Sequence, residues 1–390
     1  MATSLRLERV GQIVCADITF GDLTVLVGPQ ATGKSIFLQF LKLVLDTGYV
    51  HDQLRKHGID WKRDIGEFLD VYLGEGMRGV WRNINNAESS AIFYDHERIE
   101  MTDLATPRNR SKEGSVFYIP AQRVLSLANG WPRPFQGFAS QDPFMVRDFS
   151  ETFRLLMEQE LSRNIDLFPK TNRLKREYRD LLSRHVFGGF GLHVDRHGAQ
   201  KRLVLRMEES DKAIPFMAWS AGQREFVPLL MGLYWLMPGA KTNRRGNLEW
   251  VVIEEPEMGL HPNAISVVLL LVLDLLWRGY RVCLSTHSPH ILDVVWAMQT
   301  IQQHKADEGK LLDIFEVRKT DPMKKVAKQV LQKTAKVYYF DRDGITWDIS
   351  NLDPGSPNAT ESGWGGLSEF SGHVADVVTE IVNGSQPDKE

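Results

Sequence analysis

Residues 23–41 read LTVLVGPQATGKSIFLQFL, and the order of their parts decides the fold. Leu23-Thr24-Val25-Leu26-Val27 is a short, β-prone apolar run of the kind that forms a buried strand. Gly28-Pro29-Gln30-Ala31-Thr32-Gly33-Lys34-Ser35 follows and fits G-x-x-x-x-G-K-[ST] without mismatch. After it, Ile36, Phe37, Phe40, Leu41 and Val44 keep the spacing of a helix with one buried face. A chance glycine turn would not carry both flanks. Glycines let the backbone wrap a phosphate chain, and the loop's N–H groups point inward as an anion nest. The helix N-terminus adds its partial positive charge. Lys34 is expected to reach the β- and γ-phosphates, and the Ser35 hydroxyl to hold Mg²⁺. The sequence therefore predicts a nucleoside-triphosphate site in an α/β chain.

At 390 residues the chain has room for one large domain or two. A formal charge of -3 gives no global argument for nucleic acid or an anionic membrane as partner. Cys15 and Cys283 are far apart and form no CxxC pair, which argues against a zinc site or disulfide framework and suits a reducing compartment. The N-terminal MATSLRLERVGQIV lacks the continuous apolar core of a signal peptide. The longest apolar run, Ala264 to Trp277, is interrupted by Ser266 and Asp274 and falls short of the ~20 residues that span a bilayer. A soluble, cytoplasmic protein without a membrane partner is expected.

Short strands are predicted over residues 5–27, suggesting a mixed sheet in front of the nucleotide. Ile65, Phe68, Leu69 and Tyr72 mark a helix, Ala91 to Tyr94 a strand, and Thr102 to Gly114 a polar loop. Val116-Phe117-Tyr118-Ile119 is a second buried strand, stopped by Pro120. Two amphipathic helices follow, one carrying Phe149, Phe153, Leu156 and Met157, the other Leu174, Tyr178, Leu181, Leu182 and Val186 and closed by Gly188-Gly189. Strands are expected at Gly191 to Asp195 and Arg202 to Met207, around a turn at His197-Gly198. Trp219-Ser220-Ala221-Gly222-Gln223-Arg224-Glu225 opens an apolar helix through Leu236. Leu248 to Pro262, LEWVVIEEPEMGLHP, is an apolar strand ending in paired glutamates. A helix from Asn263 to Trp277, ended by Gly279, leads to the strand Arg281 to Leu284 and then Ser285-Thr286-His287. Residues 336–349 read as a hairpin turning at Asp343-Gly344. Ser356 to Gly366 reads as a loop, Leu367 to Val382 as a final helix, and Gly384 to Glu390 as a disordered end.

The strand Trp250-Val251-Val252-Ile253 carries Glu254 and Glu255 to its C-terminal edge. Neighbouring side chains on a strand point to opposite faces, so the two carboxylates are free to take different roles. Glu254 is expected to face the hydrated metal and Glu255 to deprotonate the attacking water, the division that in-line phosphoryl transfer needs.

Together these stretches resemble the ABC-type ATPase heads of the SMC, RecF and OLD group. The resemblance is specific over roughly 20–45, 116–123 and 217–293 and loose elsewhere. Gly28 to Ser35 match the Walker A motif, Ser220-Ala221-Gly222-Gln223 the signature usually written LSGGQ, and Met258-Gly259-Leu260-His261 the D-loop. Glu254 stands where the family most often has Asp, Glu255 matches the catalytic Glu, and His287 the switch histidine. Gln122 is the Q-loop candidate and with it a metal contact, with Gln136 and Gln141 as competitors. Trp219 and Ala221 depart from the signature, and His261 stands where transporter ATPases carry Asp; EEPExxLHP is closer to OLD-type soluble ATPases. The resemblance implies a P-loop NTPase of ABC-head type, a mixed sheet flanked by helices with a helical lobe. It divides the chain into 1–45 (nucleotide-binding lobe, Walker A), 46–115 (insert), 116–144 (Q-loop region), 145–190 (helical lobe), 191–335 (nucleotide-binding lobe with signature, Walker B and switch His) and 336–390 (C-terminal hairpin and helix).

It further implies ATP and Mg²⁺ as ligands, hydrolysis of ATP, and a homodimer or higher homo-oligomer closed head to head. Ser220 and the backbone near Gly222 of one head would then cap the γ-phosphate held by the other. A Ser-Gly helix start is an anion site only if a phosphate arrives; otherwise Ser220 is an ordinary N-cap. Two functions follow as expectations: a switch subunit that controls a separately encoded effector, as in bacterial anti-phage systems, or a RecF-like DNA-binding ATPase in repair. Asp341-Arg342-Asp343 as a Toprim-type metal pair is set aside, because it falls at a turn that favours Asp and Gly. His193 and His197 read as surface residues. The basic residues Arg163, Lys170, Arg173, Lys175, Arg176, Arg179 and Arg184 are interspersed with acids and read as a solvated face.

Overall fold

β1 (Ser4–Val10) and β2 (Ile13–Thr19) pair antiparallel, burying Leu5, Leu7, Ala16 and Ile18 on one face. The computed structural model describes residues 3–62, 64–82, 89–106, 111–161, 165–197, 200–207, 212–238, 244–367 and 369–384. β3 (Leu23–Val27), buried at every position, leaves that pair and runs through the glycine loop into α1 (Lys34–Lys56). α2 (Ile65–Leu73) is capped by Asp64, whose carboxylate accepts from Glu67 N at 2.8 Å. β4 (Ala91–Tyr94) and β5 (Glu97–Ile99) return to the first sheet, giving the order β2-β1-β4-β5, and α3 (Met101–Ala105) follows. The strands before the glycine loop thus divide: β1 and β2 join β4 and β5 in an antiparallel sheet, while β3 enters the central mixed sheet. The physical reason is visible in the patterning: β1 and β2 alternate buried and exposed positions, whereas β3 is apolar enough to be covered on both faces.

β6 (Val116–Ile119) belongs with β3, and β7 (Leu127–Ala128) and β8 (Trp131–Pro132) make a small hairpin beyond it. α4 (Phe144–Leu155), β9 (Asp166–Phe168) and α5 (Arg176–Leu182) form the lobe, and α5 ends its last turn at Gly188. β10 (Phe190–His197), β11 (Gln200–Met207) and β12 (Ala213–Pro215) pair with β9 in the order β12-β11-β10-β9, so the 145–190 segment expected to be helical also contributes a strand to an antiparallel sheet that continues beyond it. The expected turn at 198 lies outside the described residues. α6 (Ala221–Leu236), β13 (Trp250–Glu254), α7 (Pro262–Trp277) and β14 (Arg281–Ser285) follow. α8 (Pro289–Gln303), α9 (Gly309–Ile314) and α10 (Asp321–Val330) fill a stretch that the sequence patterns left unread. β15 (Ala335–Phe340) and β16 (Thr346–Asp348) make the expected hairpin. α11 (Ala359–Ser362) is a short helix inside the expected 356–366 loop, where Trp364 is buried, and α12 (Glu369–Gly384) is the last element. Residues 107–110 of the expected polar loop and 385–390 of the expected disordered end lie outside the described residues.

The central sheet has the order β16-β15-β3-β14-β13-β6, parallel except for β16. It is the expected mixed sheet flanked by helices. Two apolar cores cover its faces, one with α6 and α7, the other with α1 and the β1–β2 sheet. α1 is pinned to the start of β6 by a buried ion pair. Lys42 Nζ donates to Asp46 Oδ2 at 2.7 Å and to Val116 O at 2.6 Å, and Asp46 accepts from Ser115 N, Ser115 Oγ and Val116 N. Asp46 leaves helical geometry at φ -125, ψ 27, the bend that lets its carboxylate reach β6. Asp274, the interruption noted in the apolar helix, is the anchor of the lobe: Lys175, Arg278 and Tyr178 all converge on it. No described helix is long and apolar enough to cross a membrane.

Candidate functional site

Sheet order places three chain segments side by side. β14 lies between β3 and β13, and the pairing continues past the strand ends: Thr286 N donates to Leu26 O at 3.0 Å, and Glu255 N to Ser285 O at 2.9 Å. The glycine loop, the paired glutamates and His287 therefore emerge together at the C-terminal edge of a parallel sheet, where ligands of such sheets bind.

The loop over Gly28 to Ser35 is held by its own side chains. Thr32 Oγ1 donates to Pro29 O at 2.9 Å, and Lys34 Nζ donates to Gly28 O and Pro29 O at 2.8 and 2.7 Å. Gly28 is required for two reasons: its φ is +138, and a Cβ there would stand 2.3 Å from Phe340 O at the end of β15. Gln30 and Ala31 form the outer turn, Ala31 with φ 61. Gly33 precedes α1 with no side-chain cap, so the first N–H groups of α1 gain no side-chain acceptor from it. Burial pushes the Lys34 ammonium down to about 8, against the attraction of Glu255 and Glu257.

Glu254 is 2% exposed and closes β13. Its Oε2 accepts from Ala121 N at 3.1 Å, while Oε1 is buried without a hydrogen-bond partner. Burial raises its pKa, opposed by the nearby Ser35 hydroxyl, the Ala121 N–H and the Tyr118 hydroxyl. The Ser35 and Tyr118 hydroxyls lie near enough to act on the carboxylate without completing a hydrogen bond to Oε1. An unsatisfied carboxylate oxygen beside a serine hydroxyl is a hard oxygen set that fits Mg²⁺. No cluster of three or more His, Cys, Asp or Glu able to hold a metal alone occurs among the described residues. The remaining ligands of such an ion would come from phosphate and water.

Glu255 departs from the reading in which two carboxylates simply alternate across a strand. The strand ends at Glu254, and Glu255 adopts φ 43, a left-handed backbone that an L-residue takes only under constraint. That backbone is held by Arg123, which donates to the carbonyls of both Glu254 and Glu255 at 2.9 and 3.0 Å, and by main-chain bonds from Glu255 N to Ser285 O at 2.9 Å and from Met258 N to Glu255 O at 3.1 Å. His287 Nε2 lies 3.8 Å from Glu255 Oε1. Burial holds the His287 pKa below its ordinary value, as does Lys34, while Glu255 opposes them, so the ring is neutral near pH 7. The His287 backbone is fixed by Glu257, whose Oε1 accepts from His287 N at 2.7 Å and from Thr286 Oγ1 at 2.8 Å. Arg123 and Glu257 were not singled out in the sequence. The third acid of EEPE was a visible signal for Glu257; nothing local marks Arg123 as buried.

Ser220 is exposed and caps α6: Gln223 N donates to Ser220 Oγ at 3.3 Å and Ser220 N to Gln223 Oε1 at 3.1 Å, a capping box. Gly222 packs against the D-loop, and a Cβ there would stand 2.6 Å from Gly259 O. Gln122 is exposed, one residue after the Ala121 N–H that binds Glu254. Of its competitors, Gln136 donates to His57 O at 3.2 Å, and Gln141 is exposed like Gln122. Asp341 and Asp343 accept from the N–H groups of Arg342 and Ile345 within the hairpin turn. His193 Nδ1 lies 2.8 Å from Asp166 Oδ1, and the side chain of His197 is outside the description.

Residues 105–293 match the domain family described as "AAA domain, putative AbiEii toxin, Type IV TA system". A 61-residue stretch, 16% of this chain, is 39% identical to the "Old nuclease" of Escherichia phage P2, and the chain spans about a tenth of that relative's length, 10%. Among solved structures, the SMC head bound to the C-terminal winged-helix domain of ScpA aligns over 88% of this chain and 95% of its own at 10% identity, TM-score 0.42. The SMC head domain from Thermotoga maritima aligns over 75% of this chain and 92% of its own at 12% identity, TM-score 0.32.

Proposed function

We propose that this chain, an ABC-type ATPase head of the OLD/SMC kind, binds and hydrolyses ATP and uses the cycle as a switch. Two copies close head to head around ATP, and the nucleotide state controls a separately encoded effector, in bacterial anti-phage defence. The observation that carries this reading is the convergence of Lys34, Glu255 and His287 at the ends of three adjacent parallel strands. Lys34 compensates charge on the β- and γ-phosphates. Glu255 takes a proton from the attacking water as its oxygen bonds to the γ-phosphorus and the bond to the bridging oxygen breaks, releasing ADP and phosphate. Neutral His287 offers an N–H to the γ-phosphate from the side opposite Lys34. Ser35, Glu254 and Gln122 would hold Mg²⁺, which supplies charge compensation at the phosphate oxygens when bound. Ser220, Gly222 and Gln223 of one copy cap the γ-phosphate of the other, adding the differential affinity that a switch needs.

A DNA-clamp role requires cations free to meet phosphates. In the lobe, Arg173 donates to Tyr234 O and Glu160, Lys175 is paired with Asp274, and Arg179 donates to Leu174 O. These three side chains bind the lobe together, whereas Arg176 and Arg184 are exposed, so the lobe's cations do not decide between the effector and RecF-like readings.

Glu255→Gln tests the proposal. It keeps the side chain's shape but accepts no proton, so it should abolish turnover while ATP binds and drives dimerisation, read by light scattering. Mixing inactive Lys34→Ala with inactive Ser220→Arg should restore activity through one intact composite site. Pull-down from the native host with Glu255→Gln, with and without ATP, should recover a protein partner in a nucleotide-dependent manner. Recovery of DNA alone, with hydrolysis accelerated by DNA, would instead favour the clamp. Near-native turnover by Glu255→Gln would sink its assignment as base.

A further inference from the structure

Arg123 is fully buried, at 0% exposure, and its guanidinium contacts three separate segments. Nε donates to Glu225 O at 3.1 Å, in the first turns of α6. Nη1 donates to Glu254 O at 2.9 Å and, more weakly, to Pro120 O at 3.4 Å; Nη2 donates to Glu255 O at 3.0 Å. The nearest counter-charge is Glu225, whose Oε2 lies 3.9 Å from Nε and makes no hydrogen bond. Burying a guanidinium against carbonyl oxygens, with one loosely placed carboxylate, is an expensive way to join loops. Main-chain N–H groups do that work elsewhere in this site. What the guanidinium adds is a rigid plane with donors in fixed directions. Here one edge grips the helix that Ser220 caps, and the other grips the carbonyls of the two residues assigned to metal and water.

We propose that Arg123 is the positioning residue that couples α6 to Glu255, so that the placement of the signature helix sets the geometry of the catalytic carboxylate. The inference rests on the ATPase reading given above. Glu255 sits in a left-handed backbone at φ 43: its N–H donates to Ser285 O and its carbonyl accepts from Met258 N at 3.1 Å and from Arg123 Nη2 at 3.0 Å, and of these partners Arg123 is the one that also bonds α6, at Glu225 O. A displacement of α6 moves Glu225 O, tilts the guanidinium plane, and rotates the Glu254–Glu255 peptides with it. Capping of a partner's phosphate by Ser220 would therefore be felt at Glu255 in the same chain. Burial lowers the Arg123 pKa and Glu225, Glu257, Glu255 and Glu254 raise it, yet the group stays charged.

Steady-state ATPase kinetics of Arg123→Lys, Glu225→Gln and the double variant decide the matter. Lysine cannot span the three segments, so kcat should fall at least about tenfold while KM and the ATP-induced thermal shift change less than about threefold. Glu225→Gln keeps the backbone carbonyl but removes the counter-charge, and should also lower kcat. The double variant should be no worse than the worse single one, because both act on one linkage. Wild-type turnover together with a dead Glu255→Gln variant establishes the underlying reading independently; an inactive wild type overturns both. With that reading intact, kcat of Arg123→Lys within about twofold of wild type, or effects that multiply in the double variant, overturns the coupling. Should Arg123→Lys fail to fold, Glu225→Gln carries the test alone, and an unchanged kcat overturns the proposal.

Discussion

Lys34 should make ATP affinity depend on pH in a range where an ordinary lysine would not. Its side chain is buried, 6% exposed, with the ammonium on Gly28 O and Pro29 O. Burial takes its pKa from 10.5 to about 8, only partly offset by Glu255 and Glu257. A bound triphosphate favours the ammonium, so binding must take up a proton wherever free Lys34 is neutral. For a group titrating near 8, the charged fraction is about 0.9 at pH 7 and about 0.1 at pH 9. The Kd for Mg-ATP should therefore rise roughly tenfold between those values, about 1.4 kcal/mol. A lysine left at 10.5 would stay charged throughout and give almost no change. Titration calorimetry from pH 7 to 9.5, in buffers of different ionisation heat, reads both the Kd and the proton uptake. Lys34→Arg remains charged across the range, so its binding should be weaker but flat. A flat wild-type profile, or an equal slope in Lys34→Arg, would refute the reasoning.

Three further outcomes are expected. His51 is buried against Trp61 and Phe68, and burial lowers its pKa to about 4, opposed by the Leu104 carbonyl. Because the unfolded chain binds the proton first, its contribution is present above about pH 6.5 and is lost as pH falls toward 4, by up to roughly 3 kcal/mol; urea melts at pH 7, 5 and 4 should show the loss, and His51→Leu should flatten it. Lys42→Met leaves the buried Asp46 carboxylate without its cation, and the urea midpoint at pH 7 should drop by an amount equivalent to roughly 3–5 kcal/mol. Gly222→Ala drives a Cβ into the backbone oxygen of Gly259, and should destabilise by roughly 1–3 kcal/mol and lower ATPase activity, read by denaturation and turnover on the same sample.

The elements around the glycine loop were legible because their signals are local. β3, α1, β6, α6, β13, α7 and β14 announced themselves through apolar runs of the right period between glycine, proline and capping residues. Which sheet each strand joins was not legible in the same way. β15 sits beside β3 in the central sheet although it follows β3 by some three hundred residues of chain, and β4 returns to β1 across α1 and α2. Such pairings depend on what else covers a strand's faces, and no window of sequence contains that. The 288–335 stretch escaped for a different reason. α10 has a clear apolar face in Met323, Val326, Ala327 and Val330, but it is short, and α9 is shorter still.

The candidate site divides along the same line. Residues that act through type and spacing could be read directly: Lys34 and Ser35 in their loop, Glu254 and Glu255 at a strand end, His287 after the next strand. Residues that act by holding others could not, since their meaning lies in where their partners come from. Arg123 gathers carbonyls from residues 225, 254 and 255, each more than a hundred positions away, and Glu257 reaches 29 and 30 residues ahead to Thr286 and His287. Both fix backbone rather than touch a ligand, and both fix it at residues assigned to the chemistry. Glu257 has the sharper consequence. Its Oε2 is buried without a hydrogen-bond partner, and burial raises its pKa despite the donors from His287, its own backbone and Thr286. The ionised form of Glu257 opposes the burial that depresses the Lys34 ammonium, and its own raised pKa weakens that support. The group that fixes the His287 backbone thus also bears on the charge of Lys34, which ties the geometry of one end of the candidate site to the electrostatics of the other.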